Sequence, residues 1–211
     1  MSEGRPFPST LTKSEYEKAI WIDFEGVPNS PPILAGVLFD GDYAPWLIDA
    51  NVKMLEDCSI GIKYDEKKNF IKWIFELAES HGRPIIGYSE HEYRVIKEIC
   101  PDLSGKLDIY YRDARDLAKS HFGKEFHQRM KGSLKGYLSS NEVGYDYPHE
   151  FNDFNVAKTV ASLWKHSTRN QNFSDLSQKI ADRMERKLQE LIDYNEIDCR
   201  GTEFLIGLLF Q

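Results

Sequence analysis

The chain has 211 residues, 41% of them hydrophobic, and a formal net charge of −7. This length fits one sizeable domain, since domains usually have about 100–200 residues. No run reaches the roughly 18 uncharged apolar residues of a membrane-spanning helix, and the N-terminus lacks the apolar run of a signal peptide. The acidic balance argues against a passive nucleic-acid-binding module, which is normally basic, but not against an enzyme whose carboxylates hold cations.

The cysteines indicate the compartment in which the protein works. Cys58, Cys100 and Cys199 are odd in number, far apart in the chain, and form no CxxC pair. This pattern is typical of reduced thiols rather than of a disulfide framework. We therefore expect a cytoplasmic protein without a membrane anchor.

The chain begins with a polar lead-in, residues 1–18, followed by one predicted domain over residues 19–211. Pro28–Pro32 predicts a turn, and Asp40–Asp42 is a hairpin signal. Short apolar runs predict three strands around these turns, at Ala19–Val27, Ile33–Phe39 and Tyr43–Ile48. The domain should therefore open with a three-stranded antiparallel meander.

The pattern then changes to alternating helices and strands. Lys67–Ser80 has apolar residues at helical spacing, and Gly82 is typical of a helix end. A strand at Pro84–Tyr88 and a helix at Glu90–Cys100 follow, and Leu107–Ile109 is the candidate fifth strand. The remaining predicted elements are a helix at Tyr111–Phe122, a basic loop at Gly123–Gly132, and helices at Ser133–Val143, Asn155–Trp164 and Asp175–Phe210. This order predicts an α/β domain with a mixed five-stranded sheet flanked by helices.

Two acidic residues, Asp23 and Glu25, lie two positions apart in the first predicted strand. Alternate residues of a strand face the same side, so both carboxylates should project from one face, opposite Ile22 and Phe24. Two like charges in a core are costly unless something compensates them, and Mg²⁺ and Mn²⁺ prefer oxygen ligands. The pair therefore indicates a metal site; the alternative is a strand edge where both carboxylates reach water.

Two weaker signals follow along the chain. Tyr194 and Asp198 are four residues apart on the last predicted helix, so they share a face. Glu90 and Glu92 come just after the fourth predicted strand, from where a carboxylate can reach back to the end of that strand. Both are also ordinary first-turn acids, which favour the positive end of the helix dipole.

The order of these three features resembles that of the DEDD exonucleases, a DnaQ-like superfamily with a ribonuclease H-like fold. More narrowly, the chain is similar to the ribonuclease H-like domain of the predicted RecB-family and YprB-like nucleases. There the last motif looks like YNxxD, as in Tyr194–Asp198 here, and an SLK…LG stretch resembles Gly132–Lys135 followed by Val143–Tyr145. The resemblance covers roughly residues 19–207.

The resemblance implies a metal-dependent 3′–5′ exonuclease that hydrolyses the phosphodiester bonds of DNA or RNA with two Mg²⁺ or Mn²⁺ ions. The metal ligands that it implies are Asp23, Glu25, Glu92 and Asp198. Tyr194 would orient the attacking water, because a tyrosine hydroxyl is a poor base at neutral pH. Glu92 departs from the wider pattern, which has Asp after an aromatic residue, and Asp108 and Asp113 are alternatives for this ligand.

The implied partners are a single-stranded nucleic-acid end and a separate helicase or nuclease, because family members often carry such a domain. Lys135 of the SLK segment, with Lys131 and Arg129, is predicted to contact phosphates. A second cationic group is Lys165, His166 and Arg169. Two alternatives stay open: a degenerate ribonuclease H-like domain that binds nucleic acid or a protein partner without cutting, and an unrelated α/β domain whose motif matches are accidental.

Overall fold

Six strands form one mixed sheet in the α/β structure that the computed structural model describes for residues 6–28, 30–170 and 172–211. Residues 1–5 of the predicted lead-in and residue 29 of the predicted turn lie outside the described residues. The strands are β1 (Ile20–Glu25), β2 (Leu34–Phe39), β3 (Asp42–Leu47), β4 (Lys63–Tyr64), β5 (Ile85–Gly87) and β6 (Tyr111–Asp113). Their order across the sheet is β4-β3-β2-β1-β5-β6.

Helices precede, separate and follow these strands. They are α1 (Lys13–Tyr16), α2 (Lys67–His81), α3 (Glu90–Ile99), α4 (Ser104–Tyr110), α5 (Ala114–Phe122), α6 (Lys124–Arg129), α7 (Leu134–Leu138), α8 (Val156–Ser167) and α9 (Gln178–Gly207). Short 3₁₀ turns lie at Ala50–Asp57, Pro101–Leu103, His149–Phe151, Phe173–Asp175 and Leu208–Phe210.

The first three strands form the predicted antiparallel meander. β1 pairs antiparallel with β2, and β2 pairs antiparallel with β3. Asp40 and Gly41 join β2 to β3 with φ angles of 52° and 85°, the positive values that a two-residue type I′ turn requires. β1 also pairs in parallel with β5, so it lies inside the sheet, and its nearly continuous apolar run follows from burial on both faces.

The predicted fifth strand is wrong. Leu107–Ile109 lies in α4, where Leu107 is fully buried and Ile109 is 63% exposed. An acid between two apolar residues is compatible with either a strand or a helix, and a segment this short gives no period to separate them. In the helix, Leu107 faces the core, whereas Ile109, two residues later, faces solvent.

The strand at this edge of the sheet begins later. The segment predicted as a helix from Tyr111 starts with β6, and the helix α5 begins only at Ala114. The sequence does not predict this strand, because its central residue is Arg112 and a buried arginine is unusual. Its guanidinium lies 3.0 Å from Glu15 and donates to the backbone carbonyl of Ile109 at 2.8 Å, which compensates for its burial.

Three further differences from the prediction concern short elements. β4, which makes the sheet six-stranded instead of five-stranded, has two residues and is too short to give a sequence pattern. The predicted loop Gly123–Gly132 contains α6, and the predicted helix Ser133–Val143 ends early, at Leu138 in α7. Each difference concerns a run of about one or two helical turns, where periodicity carries little information.

Helices cover both faces of the sheet. On one face, α2 and α3 pack against β1 residues that include Ile20 and Ile22. Phe7, from the predicted lead-in, is buried on the same side, with its ring centroid 5.0 Å from that of Tyr93 and 5.1 Å from that of Tyr111. The opposite face is covered mainly by α9, which contacts β1, β2 and β3.

The last helix, α9, dominates this second face. Its 30 residues, at 1.5 Å per residue, make it about 45 Å long. Leu188, Leu191 and Leu205 are fully buried in the core beneath it. Within the described parts of the chain, no helix is both long and apolar enough to cross a membrane.

Candidate metal centre

β1 carries Asp23 and Glu25 on the face of the sheet that α9 covers. Ile22 and Phe24 enter the core on the other face, as the alternation of a strand requires. β1 pairs with β2 as far as Glu25 but with β5 only at Ile20 and Trp21, so the two carboxylates lie just past the end of the β1–β5 pairing. Glu25 is only 6% exposed, and Asp23 is half-buried.

α9 brings Asp198 to the same place. One carboxylate oxygen from each of Asp23, Glu25 and Asp198 lies within 4.8 Å of the other two. Oxygens at such separations can ligate one divalent cation, whose oxygen ligands lie about 2.0–2.6 Å away. We call these three residues the acid cluster.

The carboxylates of the acid cluster hold protons more tightly than free carboxylates do. Burial, together with the charge of Asp198, raises the pKa of Asp23 to about 7. Burial and the charges of Asp23 and Asp198 raise the pKa of Glu25 well above its usual value. Burial also raises the pKa of Asp198 to about 7, against a hydrogen bond with Tyr194 that lowers it. The raised pKa values reflect the cost of placing negative charges in a buried site, and a bound cation would compensate these charges.

One oxygen of the acid cluster lacks a partner. Oε1 of Glu25 is buried, and no group in the described part of the chain hydrogen-bonds to it. A buried polar atom without a partner is costly, and such atoms are rare in folded proteins. A hard divalent cation such as Mg²⁺ or Mn²⁺ would satisfy this oxygen, so the donor set fits the metal that the sequence predicts.

Asn195 on α9 holds the carboxylate of Asp23. Its Nδ2 donates to Oδ2 of Asp23 at 2.6 Å, and its Oδ1 accepts a hydrogen bond from the hydroxyl of Tyr43 at 2.9 Å. Gly36 of β2, which pairs with Asp23 of β1, leaves room for this amide, since a Cβ there would lie 1.7 Å from Oδ1 of Asn195. None of these three residues was predicted as part of the site. The asparagine of the YNxxD motif is a sequence signal for Asn195, whereas no motif includes Tyr43 or Gly36.

Glu92 is buried near the acid cluster, but its carboxylate caps its own helix. Oε2 accepts hydrogen bonds from the backbone nitrogen of Ser89 at 2.9 Å and from its hydroxyl at 3.3 Å. Burial and the charge of Asp23 raise the pKa of Glu92 to about 8, and Glu92 in turn raises the pKa of Asp198. Among the described residues, however, Glu92 does not share the set of mutually close ligand atoms.

The two alternative acids take part in other interactions. Asp108 lies in α4 and accepts a hydrogen bond from the hydroxyl of Tyr93 at 2.6 Å. Asp113 ends β6 and caps α5, accepting a hydrogen bond from the backbone nitrogen of Asp116 at 3.1 Å. For the residues that the structure describes, neither belongs to the acid cluster.

Tyr194 lies one helical turn before Asp198 on α9. Its hydrogen bond lowers the pKa of Asp198, while burial and the charge of Asp198 raise the pKa of the Tyr194 hydroxyl itself. Its ring centroid lies 5.0 Å from that of Phe154 and 5.9 Å from that of Phe151. Tyr194 is therefore a fixed hydrogen-bond donor beside the acid cluster and is unsuited to act as a base.

Lys135 lies beside the acid cluster, and its charge lowers the pKa of Asp198. Its Nζ donates to the backbone carbonyl of Phe151 at 3.3 Å and to that of Asn152. It also lies 5.7 Å from the ring centroid of Tyr147. Lys135 therefore ties the segment that contains these residues to the site.

The other two predicted phosphate-binding cations lie on or just after α6. Arg129 forms an exposed ion pair with Glu142 at 2.7 Å and lies 4.9 Å from the ring centroid of Phe126. Lys131 is exposed, with a φ angle of 54°. To bind a phosphate, Arg129 would have to give up its ion pair with Glu142, whereas the exposed Lys131 could contact a phosphate without such a change.

A cleft of about 960 Å³ opens beside Glu25. The side chains of α2 and α3 that line it include the cations Lys67, Lys68 and Arg94, together with His91 and the acid Glu98. Its apolar lining includes Phe24, Val27, Pro31 and Pro32. The cleft thus combines three cations and an apolar wall with the carboxylates of Glu25 and Glu98.

Comparisons with other proteins give no assignment. No protein-family model matches the chain, and no curated protein or solved structure matches it. The acid cluster and its surroundings are therefore the observations from which a function has to be inferred.

Proposed function

We propose that this protein is a metal-dependent nuclease that hydrolyses the phosphodiester bonds of DNA or RNA. The acid cluster carries the proposal, because three carboxylates from β1 and α9 bring ligand oxygens within 4.8 Å of one another. Burying like charges this close is unfavourable without a cation, and Oε1 of Glu25 lacks any other partner among the described residues.

The order of the elements supports a relation to the DEDD superfamily. An antiparallel β1–β2–β3 meander, the parallel strands β5 and β6, and a last helix with the YNxxD motif match the arrangement expected of a ribonuclease H-like fold. We propose that the chain has this fold, with β4 as an addition to the five expected strands.

A divalent ion at the acid cluster would lower the pKa of a coordinated water and stabilise the charge that develops on phosphate oxygens. Asn195 holds the Asp23 carboxylate in one orientation by its 2.6 Å hydrogen bond. Tyr194 keeps its proton at neutral pH, and its single hydroxyl hydrogen, now shared with Asp198, would have to turn to the attacking water in order to orient it. Lys135 adds a positive charge beside Asp198, where a phosphate would approach.

The direction of attack and the number of ions rest on the resemblance of the motifs. A tyrosine in the last motif is typical of the 3′–5′ exonucleases, so we propose that a single-stranded 3′ end enters the cleft beside Glu25. Glu92 is the proposed ligand of a second ion. Its carboxylate would have to leave Ser89 for this role, since it now accepts two hydrogen bonds there.

The capping contact of Glu92 favours one alternative, a ribonuclease H-like domain that binds nucleic acid or a protein partner without cutting. In such a domain Glu92 would stabilise α3 permanently, and the acid cluster would keep at most one ion. This alternative predicts metal binding without hydrolysis.

An Asp198→Asn variant tests the proposal. Asparagine keeps the size of the side chain and removes the charge, so metal-dependent cleavage should fall by about 100-fold or more. End-labelled single-stranded DNA and RNA are incubated with wild type and variant in Mn²⁺, Mg²⁺ or EDTA. The matched control is Asp193→Asn on the same helix, whose carboxylate accepts a hydrogen bond from Gln189 at 2.7 Å.

A product ladder that needs metal, disappears in Asp198→Asn and survives in Asp193→Asn supports the nuclease, and the labelled end gives the polarity. Unchanged cleavage by Asp198→Asn rules out the acid cluster as the catalytic centre. A folded wild-type protein that binds Mn²⁺ but cuts neither DNA nor RNA establishes the non-cutting alternative.

A further inference from the structure

A strip of cations is formed by α8, the residues just after it and the N-terminal half of α9. Its members are Lys158, Lys165, Arg169, Arg183, Arg186 and Lys187, and we call it the α8–α9 strip. The two helices pack on each other through fully buried side chains such as Val160 and Leu188. Lys165 and Arg169 alone give a short cationic group in the sequence, and the packing of α8 on α9 extends it to six residues.

The cations of the strip lie close enough to influence one another. Burial lowers the pKa of the half-buried Lys187, and the charges of Arg183, Lys158 and Arg186 lower it further. Burial also lowers the pKa of His166, and cations from both helices add to this effect. Positive charge is therefore concentrated where the helices meet, in a protein whose net charge is −7.

Carboxylates do not neutralise the strip. In the described part of the chain, none of its six residues forms an ion pair. Glu190 is close enough to raise the pKa of Lys187 but forms no ion pair with it among the described residues. Glu185, another acid of α9, accepts a hydrogen bond from the backbone nitrogen of Ser59 at 2.8 Å and so faces a different segment. The strip thus presents unpaired positive charge to solvent.

The strip leads to the acid cluster along one face of α9. Lys187, Tyr194 and Asp198 are spaced by seven and four residues, so their side chains project within about 40° of one another. Lys187 and Asp198 are separated by about 16 Å along the helix axis. Phe154, just before α8, packs on Tyr194 between the two regions, with its ring centroid 5.0 Å away.

We propose that the α8–α9 strip binds the phosphate backbone of the nucleic-acid strand that the acid cluster cleaves. This inference rests on the proposed function. A separation of about 16 Å corresponds to about five phosphates of a stacked strand at 3.4 Å each, so the strip contacts nucleotides several positions from the cleaved bond. It also explains how an acidic protein attracts a polyanion, because a local positive field can capture a ligand that the net charge repels.

The test compares two triple variants that remove the same charge. The strip variant is Lys158→Gln, Arg183→Gln and Lys187→Gln. The control variant is Lys13→Gln, Lys72→Gln and Lys97→Gln, three exposed lysines on α1, α2 and α3. Fluorescence anisotropy measures the binding of labelled single-stranded DNA and RNA of about 20 nucleotides in EDTA, over a range of salt concentrations.

We expect the strip variant to lose affinity by about tenfold or more, and its plot of log Kd against log salt to become shallower by about two. The control variant should keep both the affinity and the slope of the wild type. Circular dichroism establishes that both variants are folded, which we expect because five of the six substituted side chains are exposed and Lys187 is half-buried.

Cleavage of the same strand and of a dinucleotide separates this inference from the proposed function. The strip variant should cut the long strand more slowly but the dinucleotide at the wild-type rate, because a dinucleotide cannot span the distance. Strip-dependent binding without any cleavage supports the strip and overturns the nuclease. Equal binding by the two variants overturns the strip, whether or not the protein cuts. A wild type that binds neither DNA nor RNA also overturns it, in favour of an acidic protein partner.

Discussion

At the scale of single residues, Gly36 shows how a site in one element fixes the residue type in another. Glycine weakens a strand, because it restricts the unfolded chain least and offers no side chain to pack. Its place in β2 is explained by the amide of Asn195, which occupies the space that a Cβ would need. That amide in turn holds Asp23 at 2.6 Å.

A Gly36→Ala variant should lower the free energy of unfolding by about 1–3 kcal/mol, because the added methyl overpacks a filled core. It should also weaken Mn²⁺ binding, since a displaced Asn195 releases the Asp23 carboxylate. Urea denaturation measures the first effect and calorimetric titration the second. Gly105→Ala is the matched control, as a Cβ at that position in α4 meets nothing within 4 Å. A Gly36→Ala protein with wild-type stability and affinity would contradict the packing described for Asn195.

At the scale of elements, the carboxylate of Glu92 caps α3, and the proposed second ion would compete with this capping contact. Gly87, at the end of β5, allows Glu92 to lie against the strand, because a Cβ there would be 2.8 Å from the Cβ of Glu92. The carboxylate then closes the capping box with Ser89 and lies close enough to Asp198 to raise the pKa of that carboxyl. Glu92 is thus poised between a structural role and the proposed ligand role.

A Glu92→Gln variant should keep the start of α3, because the amide oxygen can still accept the hydrogen bonds from Ser89. We expect Mn²⁺ to go on raising its melting temperature through the acid cluster, while cleavage falls because the second ion loses a charged ligand. Glu92→Ala should in addition lose about 1 kcal/mol of stability with the capping bond. If Glu92→Gln abolished the Mn²⁺-dependent rise, Glu92 would instead be a ligand of the first ion.

The elements that the sequence predicts best are those with a strong local signal. The Asp40–Gly41 turn and the apolar runs on either side of it specify the meander without help from distant residues. β6 gives no such signal, because the cost of burying Arg112 is met by Glu15, 97 positions earlier in the chain. Short elements such as β4 are formed by their neighbours and cannot be predicted from their own residues.

In the candidate site, too, the sequence predicts the features that have a strong local signal. The spacing of Asp23 and Glu25 on one strand predicts that both carboxylates share a face, and the structure places them together with Asp198. The bonds from Asn195 to Asp23 and to Tyr43 join residues 172 and 152 positions apart, and no local pattern encodes them. The capping bond of Glu92 joins residues close in the chain. Whether the carboxylate caps α3 or ligates an ion, however, depends on contacts with the rest of the folded protein.

At the scale of the whole molecule, several acids with raised pKa values make stability depend on pH. The pKa is about 7 for Asp23 and for Asp198 and about 8 for Glu92, whereas free carboxyls titrate near pH 4. Between about pH 4 and pH 8 the folded protein therefore holds protons that the unfolded chain has released. Stability is then highest below this window and decreases as the pH rises through it.

The melting temperature of the EDTA-treated protein should accordingly fall between about pH 5 and pH 8. At pH 8, Mn²⁺ should restore it, since the ion binds the ionised carboxylates of the folded state only. Asp198→Asn should flatten the pH dependence and remove most of the response to Mn²⁺. Thermal melts across this range measure both effects, and a melting temperature indifferent to pH in EDTA would show that the cluster is hydrated and not buried.

The distance of 172 residues between Asp23 and Asn195 has a consequence for biosynthesis. At about 5–20 residues per second, the ribosome delivers Asn195 about 10–35 s after Asp23. During that interval the nascent chain has the β1 carboxylates but neither α9 nor the Asp198 oxygen. The acid cluster therefore assembles only when the C-terminal helix docks, so the proposed capture of a divalent ion would be a late step in the maturation of the protein.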